Sequence, residues 1–228
     1  LWAGALALGV LPPDRAAPPR FRWFATANGL TQNDVTCFAE DRDGNLWIGT
    51  RGGGLSRLAA GRLETVPPVR GFSGDVITAI LEDREGSLWL GSAGEGLVRL
   101  SNSPFEVLQA DTPGIGGSPR VVLQDRRGTL WVGTSERGLA RADGGRLTTA
   151  GIPEGGPNRD VFSLLESADG SLWVGTYGSG LWRLRSGRWR SWRTADGLPS
   201  DIVWALAEDN LGALWVGTYG GGLARMIG

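Results

Sequence analysis

Residues 35–58, VTCFAEDRDGNLWIGTRGGGLSRL, contain the pattern that decides the fold of this chain. An apolar-rich segment at Val35–Glu40 is followed by the turn DRDGN, by Leu46–Thr50, by the turn RGGG and by Leu55–Leu58. β-Branched and aromatic residues favour strands, and Asp and Gly favour the tight turns of hairpins. Because Arg62–Val66 follows after a short AG turn, this stretch predicts four short antiparallel strands.

The same pattern returns at a fixed interval along the chain. Tryptophans recur every 42 residues, at Trp47, Trp89, Trp131, Trp173 and Trp215. A period of this length with four strands in each unit is typical of a β-propeller. The sequence therefore predicts an all-β fold, a β-propeller of about five four-stranded blades. The repeat units lie near 27–68, 69–110, 111–152, 153–194 and 195–228.

The recurring side chains are interpreted as structural. We expect each tryptophan to fill the space between adjacent blades, rather than to stack on a carbohydrate. The glycine two residues later, as at Gly49, leaves room for another segment to approach closely. Arginines such as Arg57 and aspartates such as Asp41 recur at fixed offsets, with Ser167 in place of the fourth aspartate. Their fixed positions indicate that they form pairs between strands or blades rather than bind a ligand.

The N-terminal residues predict a targeting segment and, with it, a cellular location. Residues 1–11, LWAGALALGVL, are too few to span a bilayer and resemble the apolar part of a secretory signal peptide. Residues 1–19 are therefore predicted to be a signal-peptide remnant with a proline-rich linker, and an irregular apolar terminus is the alternative. Export would place the protein in the periplasm or another extracytoplasmic compartment.

The segment that follows suggests how the propeller could close. Residues 20–26 align, four periods apart, with 188–194, the fourth strand of the fourth unit. Pairing of Phe21–Thr26 with Leu223–Ile227 would complete the last blade and close a ring over residues 20–228. The alternative is an open arc with further repeats.

Composition excludes most catalytic chemistry. The chain has no histidine, no lysine and a single cysteine, Cys37. Without them there is no Ser-His-Asp triad, no lysine base, no histidine-ligated or thiolate metal site and no internal disulfide. The formal net charge of −1 argues against a nucleic-acid partner. We therefore predict a protein that is not an enzyme, with no catalytic residue, no metal and no cofactor.

One face of the predicted propeller varies between repeats. The links between units share this face with the turns after the second strands, which begin with Arg51, Ala93, Ser135, Tyr177 and Tyr219. Mixed aromatic and charged side chains suit a small polar ligand or an oligosaccharide, with tyrosines for stacking and arginines for a hydroxyl or carboxylate. A solvated face is the alternative. The predicted ligand-binding residues are Arg51, Asp75, Arg159, Tyr177, Asp201 and Tyr219.

Two segments carry a family resemblance. NGLTQNDVTCFAEDRDGNLWIGTRGGGLSRL at 28–58 and GLPSDIVWALAEDNLGALWVGTYGGGLARM at 197–226 closely resemble the two-component regulator propeller repeat. The third unit, where Pro113–Pro119 replaces the usual Gly-Leu pair, and the fourth unit match less well. The resemblance implies the non-catalytic extracytoplasmic sensor of a bacterial membrane receptor. It also implies a dimer in the full receptor and an output domain downstream, a histidine kinase or a diguanylate cyclase.

Two other classes have comparable repeats. Streptogramin-lyase-like propellers have a similar period, but their chemistry resembles a histidine-dependent elimination. Because this chain has no histidine, that activity is not expected here. A secreted lectin-like propeller is the better alternative, because aromatic residues on each blade could bind a sugar. Such a lectin would need matching side chains in every unit. The residues that begin the turns after the second strands, from Arg51 to Tyr219, differ between units and therefore favour one composite site.

Overall fold

The computed structural model describes residues 2–4, 8–10, 22–67, 76–94, 96–100, 106–108, 117–143, 146–150, 156 and 160–226. The chain divides into two compact units, unit 1 (Leu1–Val107) and unit 2 (Leu108–Gly228), which are treated separately below. About 59% of the described residues lie in strands. The helical segments among them are two single 3-10 turns, Thr26–Asn28 and Thr194–Asp196. The predicted all-β class is confirmed.

Unit 1 contains an N-terminal sheet, blade 1 and most of blade 2. The N-terminal sheet comprises β1 (Trp2–Gly4), β2 (Leu8–Val10) and β3 (Arg22–Phe24). Blade 1 comprises β4 (Val35–Glu40), β5 (Leu46–Thr50), β6 (Leu55–Ala59) and β7 (Arg62–Thr65). Blade 2 comprises β8 (Ile77–Glu82), β9 (Leu88–Ser92), β10 (Gly96–Leu100) and β11 (Glu106–Leu108).

Unit 2 contains blades 3, 4 and 5. Blade 3 comprises β12 (Pro119–Gln124), β13 (Leu130–Thr134), β14 (Gly138–Asp143) and β15 (Arg146–Thr149). Blade 4 comprises β16 (Val161–Glu166), β17 (Leu172–Thr176), β18 (Leu181–Arg185) and β19 (Arg188–Trp192). Blade 5 comprises β20 (Val203–Glu208), β21 (Leu214–Thr218) and β22 (Gly222–Met226). Consecutive strands pair antiparallel within each blade. The four predicted strands are present in blades 1–4, and blade 5 has three among its described residues.

The N-terminal residues form a sheet that the sequence did not predict, and their assignment to a signal-peptide remnant and a linker stays a prediction. Two strands, β1 and β2, lie where a signal-peptide remnant and a linker were expected. The strand expected at 20–26 is present as β3, but it pairs with β2 instead of Leu223–Ile227. In this sheet β2 is the nearer partner of β3 along the chain, which favours their pairing. Closure of the ring stays a prediction.

The N-terminal sheet has the pairing pattern of a blade. Gly4 pairs with Leu8 and Leu8 with Phe24, as Gly175 pairs with Leu181 and Leu181 with Trp192. By this register, β1, β2 and β3 correspond to the second, third and fourth strands of the repeat. The sequence LWAGA at 1–5 agrees, because it resembles the LWVGT of the second strand in blade 4.

The core lies where neighbouring blades meet. In unit 2, Trp131 and Leu139 of blade 3 pack with Val161 and Val174 of blade 4. Trp173 and Leu181 of blade 4 pack in the same way against Val203 and Val216 of blade 5. Packing of one sheet face against the next buries the apolar residues of both. Trp131 and Trp173 therefore lie between blades, as the sequence predicts.

An aspartate of the same blade binds the recurring tryptophan in blades 1, 2, 3 and 5, and in blade 1 an arginine also lies over the ring. In blade 1 the indole Nε1 of Trp47 donates to Asp41 Oδ2 at 2.8 Å, and Arg57 lies over the ring with its Cζ 5.6 Å from the centroid. The same indole-to-aspartate bond is made in three other blades, by Trp89, Trp131 and Trp215. The recurring Asp and Arg residues are thus explained by packing around tryptophan.

In blade 4 a serine replaces this aspartate and recruits a carboxylate two residues later. Trp173 Nε1 donates to Ser167 Oγ at 3.2 Å, and Ser167 Oγ donates to Asp169 Oδ1 at 2.6 Å. Arg185 Nη1 lies 3.2 Å from Asp169 Oδ2. The Ser167 hydrogen bond is the main reason why the pKa of Asp169 falls from 3.8 to about 2, since further hydrogen bonds and Arg185 outweigh the opposing effect of burial.

Acidification is expected to weaken blade 4 through this carboxyl group. A pKa that is lower in the folded state than in the unfolded state stabilises the fold above the unfolded pKa. This contribution is lost as the pH falls from about 4 to about 2. Melting temperatures of the wild type and of Asp169→Asn, measured at about pH 7, 4 and 2, should differ most at neutral pH and converge in acid. A constant difference across this range would contradict the assignment.

Candidate ligand-binding rim

Each first strand carries a β-bulge near its beginning. In β4 the pairing with β5 shifts between Val35 and Cys37, so that Thr36 is the extra residue. The same shift occurs in the first strand of every other blade. The bulged residues follow the 42-residue period and are Thr36, Thr78, Arg120, Phe162 and Trp204. A bulge takes its extra residue out of the ladder and redirects the side chain, and bulges are common beside functional sites.

In unit 2 the bulged side chains of neighbouring blades contact one another. Phe162 of blade 4 stacks on Trp204 of blade 5, with ring centroids 5.0 Å apart and planes inclined by 27°. Arg120 of blade 3 places its guanidinium carbon 4.6 Å from the Phe162 centroid. Aromatic pairs and exposed cation–π contacts each contribute about 1 kcal/mol. The three residues therefore form a continuous contact across blades 3, 4 and 5.

Two tyrosines extend this contact from the turns after the second strands. The Tyr177 ring centroid lies 5.8 Å from that of Phe162, and Tyr219 stacks on Trp204 at 5.9 Å. Their exposed fractions are 52% for Tyr177, 65% for Tyr219 and 49% for Trp204. Large contiguous patches of exposed apolar surface are uncommon on soluble proteins, and they often mark binding sites. The aromatic rim is defined here as Arg120, Phe162, Tyr177, Trp204 and Tyr219.

Backbone hydrogen bonds fix the loops that carry the rim. Tyr177 N donates to Asp160 O and Tyr219 N donates to Ile202 O, both at 2.9 Å. Gly178 N also donates to the carbonyl of Asp201, at 3.0 Å. The turns after the second strands and the loops before the first strands therefore meet at one edge of blades 4 and 5. The rim is thus held on ordered backbone, which lowers the entropic cost of binding a ligand.

The charge in the rim comes from Arg120, and it is partly compensated. Arg120 Nε lies 3.7 Å from Asp160 Oδ1, with both side chains partly exposed. Glu136 N also donates to Asp160 Oδ1, at 3.2 Å. A surface ion pair contributes about 0–1 kcal/mol, so an acidic ligand could compete with Asp160 for this guanidinium. The rim therefore presents aromatic ring faces, two phenol hydroxyl groups and the partly paired guanidinium of Arg120 to a ligand.

The structure brings together two of the six residues that the sequence predicts for the site. Tyr177 and Tyr219 belong to the aromatic rim, whereas Arg51 lies in unit 1, where its Nε binds Asp34 Oδ2 at 3.0 Å. The Oδ1 of Asp201 accepts a hydrogen bond from Thr194 N at 2.7 Å, at the start of the 3-10 turn Thr194–Asp196. The other two predicted residues, Asp75 and Arg159, lie outside the described residues.

Arg120, Phe162 and Trp204 are not among the residues predicted from the sequence. Their signal was available, since they occupy one position of the 42-residue repeat that changes from threonine in blades 1 and 2 to arginine or aromatic residues in blades 3–5. Only the bulge explains why this position contacts the turn tyrosines.

The described residues contain few reactive groups. Burial raises the pKa of the Cys37 thiol to about 12, despite hydrogen bonds from Thr36 and Gly49 that lower it. Within the described ranges, no three or more Cys, Asp or Glu side chains are grouped so as to hold a metal ion. A search of the same residues finds no helix with the length and apolar character needed to cross a membrane.

Sequence comparison identifies the repeat. The two component regulator propeller family matches five times, at residues 29–52, 71–94, 113–136, 155–178 and 197–220. Together these matches cover just over half of the chain, and they follow the period of the tryptophans. No curated protein matches the chain.

Several solved structures share the fold at low sequence identity. The extracellular domain of BT4673 from B. thetaiotaomicron, named as a one component system, has a TM-score of 0.78 at 22% identity and matches 99% of this chain and 32% of its own. The extracellular domain of BT3049, named as a hybrid two component system from the same organism, has a TM-score of 0.59 at 22% identity, over 96% of this chain and 32% of its own. The chain thus spans about a third of both domains.

An enzyme shares the fold as well. Catalytically inactive virginiamycin B lyase from Staphylococcus aureus, with Quinupristin, has a TM-score of 0.73 at 16% identity, over 97% of this chain and 74% of its own. Identities this low establish the fold alone, and the fold is the predicted β-propeller. With five matched repeats on that fold, the chain belongs to the two component regulator propeller family.

Proposed function

We propose that this chain is the ligand-sensing, extracytoplasmic propeller of a bacterial transmembrane signalling receptor, and that the aromatic rim binds the ligand. The observation that carries the proposal is the exposed cluster of Tyr177, Trp204 and Tyr219, which meets Arg120 through Phe162. Family membership and the extracellular sensor domains with the same fold support the receptor context. In the full receptor an output domain follows in the same polypeptide, and the receptor is a dimer.

The chemistry of the rim limits the ligand class. Aromatic faces bind the apolar face of a sugar ring, while phenol hydroxyls and a guanidinium bind its hydroxyls or a carboxylate. We therefore propose a small polar ligand or an oligosaccharide. To signal, the ligand must bind two receptor states with different affinity, because equal affinity shifts no population.

Binding without catalysis is the better interpretation of this rim. The chain contains no histidine, whereas the inactive variant of the lyase with the same fold has a histidine replaced by alanine. The carboxylate beside Arg120, that of Asp160, is already paired with this guanidinium. The rings, phenol hydroxyls and guanidinium of the rim are thus suited to holding a ligand rather than to the histidine-dependent proton transfer that many enzymes use.

A secreted lectin-like propeller is the second candidate, and the number of sites distinguishes it. A lectin with one sugar site on each blade needs equivalent aromatic residues in all blades. The bulged position is threonine in blades 1 and 2, and the turn position is tyrosine only in blades 4 and 5. This asymmetry favours one composite site, so titration should give one ligand bound to each chain.

A thermal-shift screen of sugars, oligosaccharides and organic acids tests the rim. A binding compound should raise the melting temperature of the wild type. Tyr219→Ala and Trp204→Ala should each weaken its binding by about tenfold or more, because stacking on an aromatic ring is worth about 1–3 kcal/mol. Tyr177→Ala should act in the same direction.

Leu211→Ala serves as the matched control. Leu211 is 82% exposed in blade 5, but it lies in the turn between the first and second strands, away from the rim. Its replacement should leave binding unchanged. Stabilisation by a compound that survives all three rim substitutions would move the site elsewhere, and turnover of any compound would refute a non-catalytic role.

A further inference from the structure

The third and fourth strands of blade 4 carry a concentration of positive charge. Residues 181–193, LWRLRSGRWRSWR, comprise β18, the turn, β19 and one further residue, and they contain five arginines and no acidic residue. The corresponding stretches of blades 1, 2 and 3 each contain one or two arginines and an aspartate or glutamate. Since the formal net charge of the whole chain is −1, this positive charge is a local feature of blade 4.

Four of these arginines share one face of the sheet. Arg183 of β18 pairs with Arg190 of β19, and Arg185 pairs with Arg188 beside the turn. Residues that pair directly across antiparallel strands lie on the same face about 5 Å apart, and every second residue of a strand returns to that face. Arg185, Arg188 and Arg190 are exposed, and Arg183 is half-buried. The arginine face is defined here as Arg183, Arg185, Arg188 and Arg190.

This arrangement opposes the stability of the sheet. Like charges directly opposite each other on neighbouring strands are destabilising. In place of the pair Arg183–Arg190, blade 1 has Arg57 and Glu64, which form an ion pair with Nη2 2.6 Å from Oε2. In blade 3 the arginine at this position faces an uncharged residue, Thr148. Natural proteins break such local rules mainly at functional sites, so the two arginine pairs of blade 4 point to a role outside folding.

Contacts with tryptophan hold part of this charge in place without neutralising it. The guanidinium carbons of Arg183 and Arg190 lie 5.6 Å and 4.7 Å from the ring centroid of Trp192. A cation–π contact positions a guanidinium but leaves its positive charge uncompensated. Among the carboxylates that the structure describes, only that of Asp169 lies within ion-pair distance of the arginine face, with Oδ2 3.2 Å from Arg185 Nη1. The arginine face therefore keeps a net positive charge on ordered side chains.

A complete neighbouring blade leaves this region of a blade accessible. In blade 3 the residues at the positions of Arg183 and Arg190 are Arg141 and Thr148, and both are exposed although blade 4 has all four strands. In blade 1, which packs against the four-stranded blade 2, the side chain of Glu64 is 50% exposed. A partner can therefore reach the arginine face beside a complete blade.

We propose that the arginine face docks on the phosphate groups of an anionic phospholipid bilayer. The planar guanidinium group binds phosphate oxygens through paired hydrogen bonds. Four neighbouring like charges favour a partner with many anionic groups over a single small anion, and the face lies on an open hairpin. An acidic polysaccharide is less suited, because the Trp192 ring already contacts two guanidinium groups and has less surface free for a sugar.

The choice of a bilayer rests on the proposed function, which holds the propeller beside a membrane. Electrostatic attraction of a few arginines to an anionic surface is weak, but tethering by a membrane anchor raises the effective concentration of the two surfaces. A weak contact is then sufficient to fix the orientation of the propeller on the membrane. The arginine face thus supplies a second, electrostatic contact besides the anchor.

Sedimentation with lipid vesicles tests the proposal on the intact chain. Vesicles of phosphatidylglycerol and phosphatidylcholine in equal parts should bind the chain at low ionic strength, and vesicles of phosphatidylcholine alone should not. Binding to the anionic vesicles should be lost in about 1 M salt, where the Debye length is only about 3 Å. Arg188→Gln and Arg190→Gln should each weaken vesicle binding about fivefold, and Arg188→Glu, which changes the charge by two, about 25-fold.

Arg62→Glu is the matched control for Arg188→Glu. Arg62 is exposed at the same position of the repeat in blade 1, and both substitutions change the net charge of the chain equally. Arg62→Glu should leave vesicle binding nearly unchanged. Equal losses for the two variants would assign the binding to net charge and overturn the proposal. Tyr219→Ala in the aromatic rim should also leave vesicle binding unchanged, so failure of membrane docking and failure of ligand binding can be told apart.

Arg190→Glu separates docking from folding. It places a carboxylate opposite Arg183, as Glu64 lies opposite Arg57 in blade 1, so the melting temperature should stay unchanged or rise while vesicle binding is lost. A protein that unfolds more easily and still binds vesicles would overturn the proposal. So would the absence of binding to anionic vesicles at low ionic strength, and binding to dextran sulfate alone would assign the arginine face to an anionic polymer instead.

Discussion

Replacing Trp131 by alanine is expected to lower the free energy of unfolding by about 3–5 kcal/mol. The indole is 8% exposed and packs between blades 3 and 4 against Val161 and Leu172. Its Nε1 also donates to Asp125 Oδ2 at 2.9 Å. The substitution removes a large apolar group from a close-packed site and leaves a carboxylate oxygen without its donor, and both losses act in the same direction. Urea unfolding followed by fluorescence and circular dichroism measures the effect.

The same substitution on the rim provides the control. Trp204 is 49% exposed, and Trp204→Ala removes mainly its stacking on Phe162 and Tyr219, for a loss of about 1 kcal/mol. Trp131→Phe keeps most of the buried area and isolates the bond to Asp125, so it should cost about 1–2 kcal/mol. Equal losses for the two alanine variants would contradict a structural role for the repeating tryptophan. A Trp131→Ala protein that stays stable and loses a ligand would assign that residue to binding instead.

The bounds of the strands could be predicted to within one residue where the turn residues and the alternation of apolar and polar residues agree. Val35–Glu40 and Leu46–Thr50 are strands with the predicted bounds, and the third and fourth strands differ by one residue. The reason is local: the Asp-Gly and Gly-rich turns end each strand at a defined residue, and Asp41 fixes its turn by accepting hydrogen bonds from Asp43 N and Asn45 N.

The N-terminal sheet shows where periodicity alone fails. The segment LWAGA at 1–5 has the residues of a second strand, but the chain between the paired glycine and leucine is shorter, from Gly4 to Leu8 against Gly175 to Leu181 in blade 4. The segment from β2 to β3 is longer and rich in proline, so the 42-residue spacing is lost. The assignment of residues 1–19 to a signal-peptide remnant and a linker stays a prediction. The backbone register shows that β1, β2 and β3 correspond to the second, third and fourth strands of a blade, because pairing is kept even when loop length changes.

The candidate site was only partly predictable for a related reason. Tyr177 and Tyr219 could be assigned to a face from strand order alone. A bulge changes the alternation of side chains within its strand, so sequence alone does not indicate that Phe162 and Trp204 turn toward these tyrosines. The roles of Arg51 and Asp201 depend on local partners, Asp34 and Thr194, which composition does not reveal.

Replacing Gly133 by alanine is expected to destabilise the chain by about 1–3 kcal/mol, although alanine suits a strand better than glycine. Gly133 follows Trp131 by two residues in β13, and the neighbouring strands approach it closely. A Cβ at this position would lie 2.5 Å from Val161 Cγ1 and 2.6 Å from Val121 Cγ1. Branched valines cannot rotate away from such a contact without disturbing their own packing, so the backbone of blade 4 must shift.

Gly217→Ala is the matched control for this prediction. Gly217 occupies the same position of the repeat in blade 5, where the nearest neighbour of an added Cβ is Ala205 Cβ at 3.4 Å. Alanine therefore fits, and by restricting the unfolded chain it should leave stability unchanged or raise it by about 0.4–1 kcal/mol. Urea unfolding of the two variants should thus give effects of opposite sign or clearly different size. Equal destabilisation would show that the glycine is required by the strand itself, while tolerance of Gly133→Ala would show that adjacent blades are not in close contact there.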